Sequence, residues 1–380
     1  MSDLKRLIKH LGSDLTLQSS LSAVISPTDM RSIFAAVIDG GASDIELGAL
    51  MAMCASIESH RNAEMFSEIL LGLSEAINER SMPIECEQYD YLNVVIPNYG
   101  DEIFGNAIPL IAIKLQRMGI RVLVHGALDT PSGLANCGIF RELGVLPVTT
   151  RGQAERRLAE DGLALVPTSL ISPGLAAMMA LKARLGVSTP AHVLANMLMP
   201  VLMSAFSEPR HVLHALNIPA WLAALADTEG VVLQTPVLLS LPAEGSGCKF
   251  GSLHCRPQLK YRLGVDSQIE SSTRDKDGVD GIEEGGWQTL FQEEMESHAD
   301  VVSLSAHNTL KTSHTRWAAP PVPTDTRGRA AWTRQRLDTS MALPQPVVNQ
   351  LACCLYGAGY AEDFNQAKAM AAVEKGSLAA

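Results

Sequence analysis

The sequence predicts an α/β protein, with a small all-helical N-terminal domain followed by a larger α/β domain built on a mainly parallel sheet. Three observations predict it. Apolar residues recur at three- and four-residue spacing through about the first seventy residues. From Asn93 onward, strand-like runs alternate with helical ones, as in a parallel sheet covered on both faces. A chain of 380 residues that is 47% hydrophobic and 19% charged has enough apolar material for a sizeable core.

The first twelve residues form an amphipathic helical pattern with Leu4, Leu7, Ile8 and Leu11 on one side. A second pattern carries Met30, Ile33, Phe34 and Val37, and Gly40-Gly41 breaks it. Asp44 opens a third, with Leu47, Leu50, Met51 and Cys54 on one face, and another runs from about Asn62 to Ile77. Strands are expected at Asn93 to Ile96, Arg121 to Val124, Ala164 to Val166 and near Val231 to Leu233. Thr150 and Gln153 have capping-box spacing for a helix from Arg151. His192 reads as a packed helix residue, and His211 and His214, three apart, are expected on a helix surface. From Pro242 the composition changes: Gly245-Ser246-Gly247 is a junction, residues 275–286 are acidic and glycine-rich, and Pro320-Pro321-Val322-Pro323 is stiff and extended.

The net charge is −11, but eleven acidic and two basic residues between Val265 and Asp300 hold −9 of it. The remainder carries only −2, which leaves room for a basic face. Seven cysteines without a framework of spacings read as reduced and buried, and neither His254-Cys255 near Cys248 nor the His211/His214 pair completes a metal set. No apolar run has membrane-helix length, and no signal-peptide pattern opens the chain, so the expectation is a cytoplasmic protein without a membrane partner.

Val94 to Asp101 is a buried-strand pattern running into a turn, followed by a helical segment and a second strand, Val122 to Gly126. Such a unit normally offers a phosphate the backbone N–H groups of its first loop and the positive end of the next helix. Here the loop reads Pro97-Asn98-Tyr99-Gly100-Asp101: proline has no N–H to donate, and tyrosine puts bulk where backbone must approach a diphosphate.

Residues 30–65, residues 343–372 and the loop just quoted together resemble the anthranilate phosphoribosyltransferase family (glycosyltransferase family 3), and most of all its non-catalytic, nucleic-acid-binding branch. The resemblance implies a nucleoside phosphorylase/phosphoribosyltransferase-like fold, with a helical domain at 1–77 completed by about 172–190. The α/β domain then spans 78–171 and 191–380, with a divergent segment at 234–342. It also implies a homodimer through the helical domain.

Laid on the family's motifs, the chain departs at each ligand place. The diphosphate loop GTGGD falls on residues 97–101 and keeps only Gly100 and Asp101; the NIST segment becomes Ala107-Ile108-Pro109-Leu110. KHGNR falls on Val124-His125-Gly126-Ala127-Leu128, and the serine-rich loop on residues 131–135 keeps Ser132. The magnesium-binding Asp-Glu pair is replaced by Val232-Leu233, the YHPAM motif by Ile171-Ser172-Pro173-Gly174-Leu175, and a carboxylate-binding arginine by Lys182, which lacks the bidentate fork.

These losses imply a vestigial ligand site at Pro97, Asn98, Tyr99, Gly100, Asp101, His125, Gly126, Ser132 and Lys182, with no catalytic residue, metal or cofactor. The alternative is a pentosyltransferase of the anthranilate phosphoribosyltransferase type, using magnesium with phosphoribosyl diphosphate; the retained Gly100, Asp101, His125 and Gly126 leave it open.

A nucleic-acid partner, DNA or RNA, requires cations. One group is Lys311, Arg316, Arg327, Arg329, Arg334 and Arg336, interleaved with Trp317 and Trp332 in a segment of local charge +4; Lys249, Arg256, Lys260 and Arg262 form another with Phe250 and Tyr261. Lys114, Arg117 and Arg121 are expected beside the phosphate loop, and Arg151, Arg156 and Arg157 on a helix. Ordinary surface charge, paired with the acidic segment, is the competing reading.

Overall fold

The computed structural model describes residues 2–13, 21, 25–59, 63–84, 93–99, 107–128, 136–187, 189–201, 212–216, 237–241, 250–251, 253, 256–262, 282–283, 287–292, 323, 325–338 and 341–372. Four helices open the chain: α1 (Ser2–Ser13), α2 (Pro27–Ile38), α3 (Asp44–Ser59) and α4 (Ala63–Asn78). Ser26 caps α2 by accepting from Asp29 N at 3.2 Å, and Pro27 supplies the first helical φ. Ser43 and Glu46 cap α3 reciprocally. Helices α2 and α4 touch at Gly72, where a Cβ would lie 2.4 Å from Met30 Cγ.

The α/β part follows in the order β1 (Val94–Asn98), α5 (Ile108–Arg117), β2 (Val122–Gly126), α6 (Asn136–Glu142), α7 (Arg151–Glu160), β3 (Leu163–Pro167), α8 (Thr168–Ile171), α9 (Pro173–Leu185), α10 (Pro190–Met197), β4 (Leu213–Leu216) and β5 (Val237–Leu241). Then come β6 (Arg256–Arg262), β7 (Ile282–Glu283), β8 (Trp287–Gln292), α11 (Thr326–Leu337), α12 (Gln345–Gly357) and α13 (Phe364–Ala372). The sheet order is β3-β2-β1-β4-β5-β6-β8-β7, parallel from β3 to β5 and antiparallel beyond. The expected mainly parallel sheet is present, and the chain reverses its direction of travel across it between β1 and β4.

Strands β1, β2 and β3 fall on the three predicted runs, and the Thr150 cap of α7 is made at 3.2 Å. The fourth predicted strand lies outside the described residues. In its place beside β1 stands β4, where a helix carrying His214 was expected: Val212 to Ala215 is a short run buried on both faces of a central strand, a pattern with no period to distinguish it from a helix.

Val95, Leu123, Ala164 and Val166 point to one face and share a core with α1–α4, α9 and α10. Val94, Ile96, Val122, Val124, Leu163, Leu165 and Leu213 point to the other, against α5, α6, α11 and α12. Cys54, Cys137, Cys353 and Cys354 are unbridged and buried, and burial pushes the Cys54 thiol up to about 12. His192 closes the first turn of α10, its Nδ1 accepting from Thr189 N at 3.2 Å. Among the described residues, no helix is long and apolar enough to cross a membrane.

Candidate functional site

In an open parallel sheet the ligand crevice lies outside the carboxyl ends of the strands, at the point where the strand order reverses. Here those ends are occupied by a side chain. Tyr99, one residue beyond β1, turns inward; its phenol accepts from Thr168 Oγ1 at 2.8 Å and lies 3.0 Å from His125 Nδ1. With Thr168 donating to the phenol oxygen, the phenol O–H is left to donate to Nδ1, which puts the imidazole proton on Nε2. One side chain thus ties the ends of β1, β2 and β3.

His214 on β4 stands beside this chain, its ring centroid 6.4 Å from that of His125. Burial holds the His125 imidazole well below its ordinary value, with His214 adding to the effect, and burial alone brings His214 down to about 3. Both rings are therefore neutral at physiological pH. His125 Nε2 and both nitrogens of His214 have no hydrogen-bond partner among the described residues.

Gly126 has a structural reason to be glycine. It pairs with Asn98 in the β1–β2 register, and a Cβ on it would sit 2.3 Å from the Asn98 carbonyl oxygen. Pro97, facing His125 in the same register, lies inside β1 and not in a loop. Lys182 lies in the last turn of α9, roughly 14 Å of helix from Pro173. Gly100, Asp101, Ser132 and the segment 230–233 lie outside the described residues.

The described polar side chains at the strand ends, Asn98, Tyr99, His125 and Thr168, are all neutral, as is His214 lower in the sheet, opposite Val95. Among the described residues no group of His, Cys, Asp or Glu could hold a metal ion. These side chains do not fit a magnesium diphosphate, which needs carboxylates and cations.

The cations gather at the opposite end of the sheet. Because α5 runs back against β1 to feed β2, Lys114 and Arg117 in its last turn, and Arg121 just before β2, stand at the amino ends of the strands and not beside the phosphate loop as expected. Arg117 from α5, Arg157 from α7 and Arg334 from α11 line one groove of about 650 Å³, floored by Leu163, Leu165 and Leu337. Glu160, Asp161 and Asp338 share its walls. Each arginine is oriented by the fold: Arg117 Nη1 donates to Leu337 O at 2.8 Å, Arg157 pairs with Asp161 at 2.5 Å, and Arg334 donates to Glu142 O.

The remaining candidates divide. Arg156 and Arg327 are exposed, Arg327 lying 4.0 Å from Glu142. Arg336 lies over the Trp332 ring, 5.3 Å from its centroid. Arg329 is only 2% exposed, with Nε donating to Pro323 O at 2.8 Å, so its guanidinium is not available at a surface. Trp332 and Phe250 are buried as well. Lys311, Arg316 and Trp317 lie outside the described residues, as do the side chains of Arg256, Lys260, Tyr261 and Arg262. Thr168 and Glu142 were missed by sequence reasoning, which considered His214 only as a helix-surface partner of His211.

Helical layer and mainly parallel sheet together form an α/β protein with the anthranilate phosphoribosyltransferase fold. Solved structures of similar fold include the anthranilate phosphoribosyltransferase of Thermus thermophilus, with a TM-score of 0.63 and 16% identity over 98% of this chain and 93% of that one. The Saccharomyces cerevisiae enzyme in complex with PRPP and Mg gives a TM-score of 0.62 and 12% identity over 96% and 92%. In sequence, the chain is 24% identical over 361 residues to the uncharacterized protein YbiB of Escherichia coli (strain K12), covering 94% of this chain and 95% of YbiB. No family model matches the chain.

Proposed function

We propose that this protein keeps the phosphoribosyltransferase fold without the enzymes' reaction and binds nucleic acid, DNA or RNA, non-specifically as a homodimer. The observation that carries the binding is the convergence of Arg117, Arg157 and Arg334, from three separate helices, on one groove; Glu160, Asp161 and Asp338 balance them in number, so the support is the fixed grouping of guanidinium donors and not a net positive charge. Guanidinium groups attract phosphate oxygens whatever the base sequence. The loss of transfer chemistry is supported by the phenol of Tyr99, which fills the place where a diphosphate would need open backbone. A homodimer through the helical domain is supported by apolar side chains exposed there, Ile45 on α3 and Leu185 on α9, next in sequence to the ion-paired Asp44 and Arg184.

The test is fluorescence anisotropy of a labelled single-stranded oligonucleotide across a salt series. The reading expects affinity that falls steeply with salt and depends little on sequence. Replacing Arg117, Arg157 and Arg334 together with alanine removes three cations and lowers the log–log salt slope by about 2. Absence of binding at low salt, or an unchanged slope in the triple variant, overturns it.

The second reading, a transferase acting on a phosphoribosyl compound or nucleoside with magnesium, is favoured by one observation: the buried Nε2 of His125, near the strand ends, and both ring nitrogens of His214 below it have no partner among the described residues. Titration with phosphoribosyl diphosphate and magnesium separates the two. A magnesium-dependent binding heat supports the enzyme.

A further inference from the structure

The aromatic rings that the sequence placed among the cations are not at the surface. Trp332 is 8% exposed and lies beneath Arg336, and Phe250 is fully buried. Tyr360, at 37%, is the exposed aromatic residue among those described. It follows α12, its N–H donating to Leu355 O at 2.9 Å.

Its position is fixed at both ends. The phenol donates to Asn93 Oδ1 at 2.9 Å, and the same oxygen accepts from Arg121 N at 3.1 Å. Asn93 immediately precedes β1 and Arg121 immediately precedes β2, so the ring is held at the amino ends of two adjacent strands. At the next strand, Gly162 precedes β3 with its Cβ direction 4.0 Å from Arg121 Cγ and 3.5 Å from Gln116 Cγ. Gln116 Nε2 in turn donates to Asp161 O at 2.8 Å, and Asp161 is neutralised by Arg157. With parallel strands about 4.8 Å apart, the ends of β1 and β3 lie roughly 10 Å from each other. Tyr360, Arg121 and Arg157 therefore stand at the same end of three adjacent strands, and Arg157 is itself part of the groove of Arg117 and Arg334.

A rigid ring beside a row of guanidinium groups has a specific use. Phosphates meet the cations, and an unpaired base, whose face is open, stacks on the ring; a base in a duplex has no face to offer. We propose that single-stranded nucleic acid crosses the amino ends of the parallel sheet with one base stacked on Tyr360. This deepens the nucleic-acid reading above and rests on it.

The test uses the full-length protein and three probes: a single-stranded oligonucleotide, an abasic strand of the same length, and a duplex. Stacking of one base predicts that Tyr360→Ala weakens single-strand binding about tenfold, with abasic and duplex binding unchanged. Tyr360→Phe, which keeps the ring and loses the bond to Asn93, keeps single-strand affinity. Because the bond to Asn93 also ties α12 to the sheet, the wild-type protein provides a check that is independent of folding. It binds the abasic strand about tenfold more weakly than the natural strand. Equal wild-type affinity for both strands overturns the stacking, as does an unchanged Tyr360→Ala variant, while a response to the triple arginine variant keeps the underlying reading. No wild-type binding to any of the three probes removes both.

Discussion

Tyr99 and His125 are joined across neighbouring strand ends, phenol oxygen to Nδ1 at 3.0 Å, both within the protein interior. The phenol is also the acceptor for Thr168. Tyr99→Phe leaves the ring in place and strips a partner from two buried polar groups. It is expected to lower the unfolding free energy by about 1–3 kcal/mol, measured by urea denaturation. A variant as stable as the wild type contradicts the hydrogen-bond chain.

The two buried imidazoles set an acid limit on stability. In the unfolded chain both titrate near the ordinary value of 6.5, whereas in the folded chain His214 titrates at about 3 and His125 far below its usual range. As pH falls below 6.5 the unfolded chain takes up protons that the folded chain refuses, so their contribution is complete above that value and is lost as pH falls towards 3. Denaturation midpoints followed from pH 7 to pH 4 should decline, and His214→Phe should flatten the slope by roughly 1.4 kcal/mol per pH unit. An unaltered slope means that His214 is protonated in the fold.

Gly126→Ala places a methyl against the Asn98 carbonyl. The expected cost is about 1–3 kcal/mol of stability or a visible loosening of the β1–β2 pairing in amide exchange. Because the clash is with backbone, adding phosphate should not change the cost. A neutral substitution contradicts the strand approach described here.

Arg329 and Arg327 are neighbours on α11 with opposite roles. Arg329→Ala is expected to lower stability by about 2–4 kcal/mol, by stripping Pro323 O of its donor and opening a void, while the folded fraction keeps its salt dependence of oligonucleotide binding. Arg327→Ala should leave stability within about 0.5 kcal/mol. Thermal unfolding and anisotropy on the same samples distinguish the two.

Ile45 on α3 is 85% exposed, and Leu185 on α9 is 37% exposed. Replacing both Ile45 and Leu185 with aspartate is expected to convert a homodimer to monomer in sedimentation velocity, with the helical content kept. A dimer that survives the pair of charges lies elsewhere on the surface.

The main strands were legible because each is a compact apolar run between turn residues, as in Val94-Val95-Ile96 after Asn93. Strand β4 was not, since a few buried residues around His214 fit either period. The obstruction by Tyr99 was visible in the sequence, but its partners were not: Thr168 is 69 positions away and reaches the phenol only once β3 lies beside β2. The burial of Arg329 could have been read from the stripe Arg329, Ala330, Thr333, Leu337, which has helical spacing. The grouping of Arg117, Arg157 and Arg334 depends on the crossover connections and has no local signature.

The three-strand tie at Tyr99 also bears on how such a protein could change over generations. Tyrosine and glycine codons differ at two positions, so a change from a phenol to an open glycine loop passes through an intermediate residue. That intermediate leaves His125 and Thr168 buried without their partner, and even glycine would do so until a ligand arrived to replace the phenol. Any route from this tie to an open crevice therefore descends in stability before it gains anything, and the tie resists such a change.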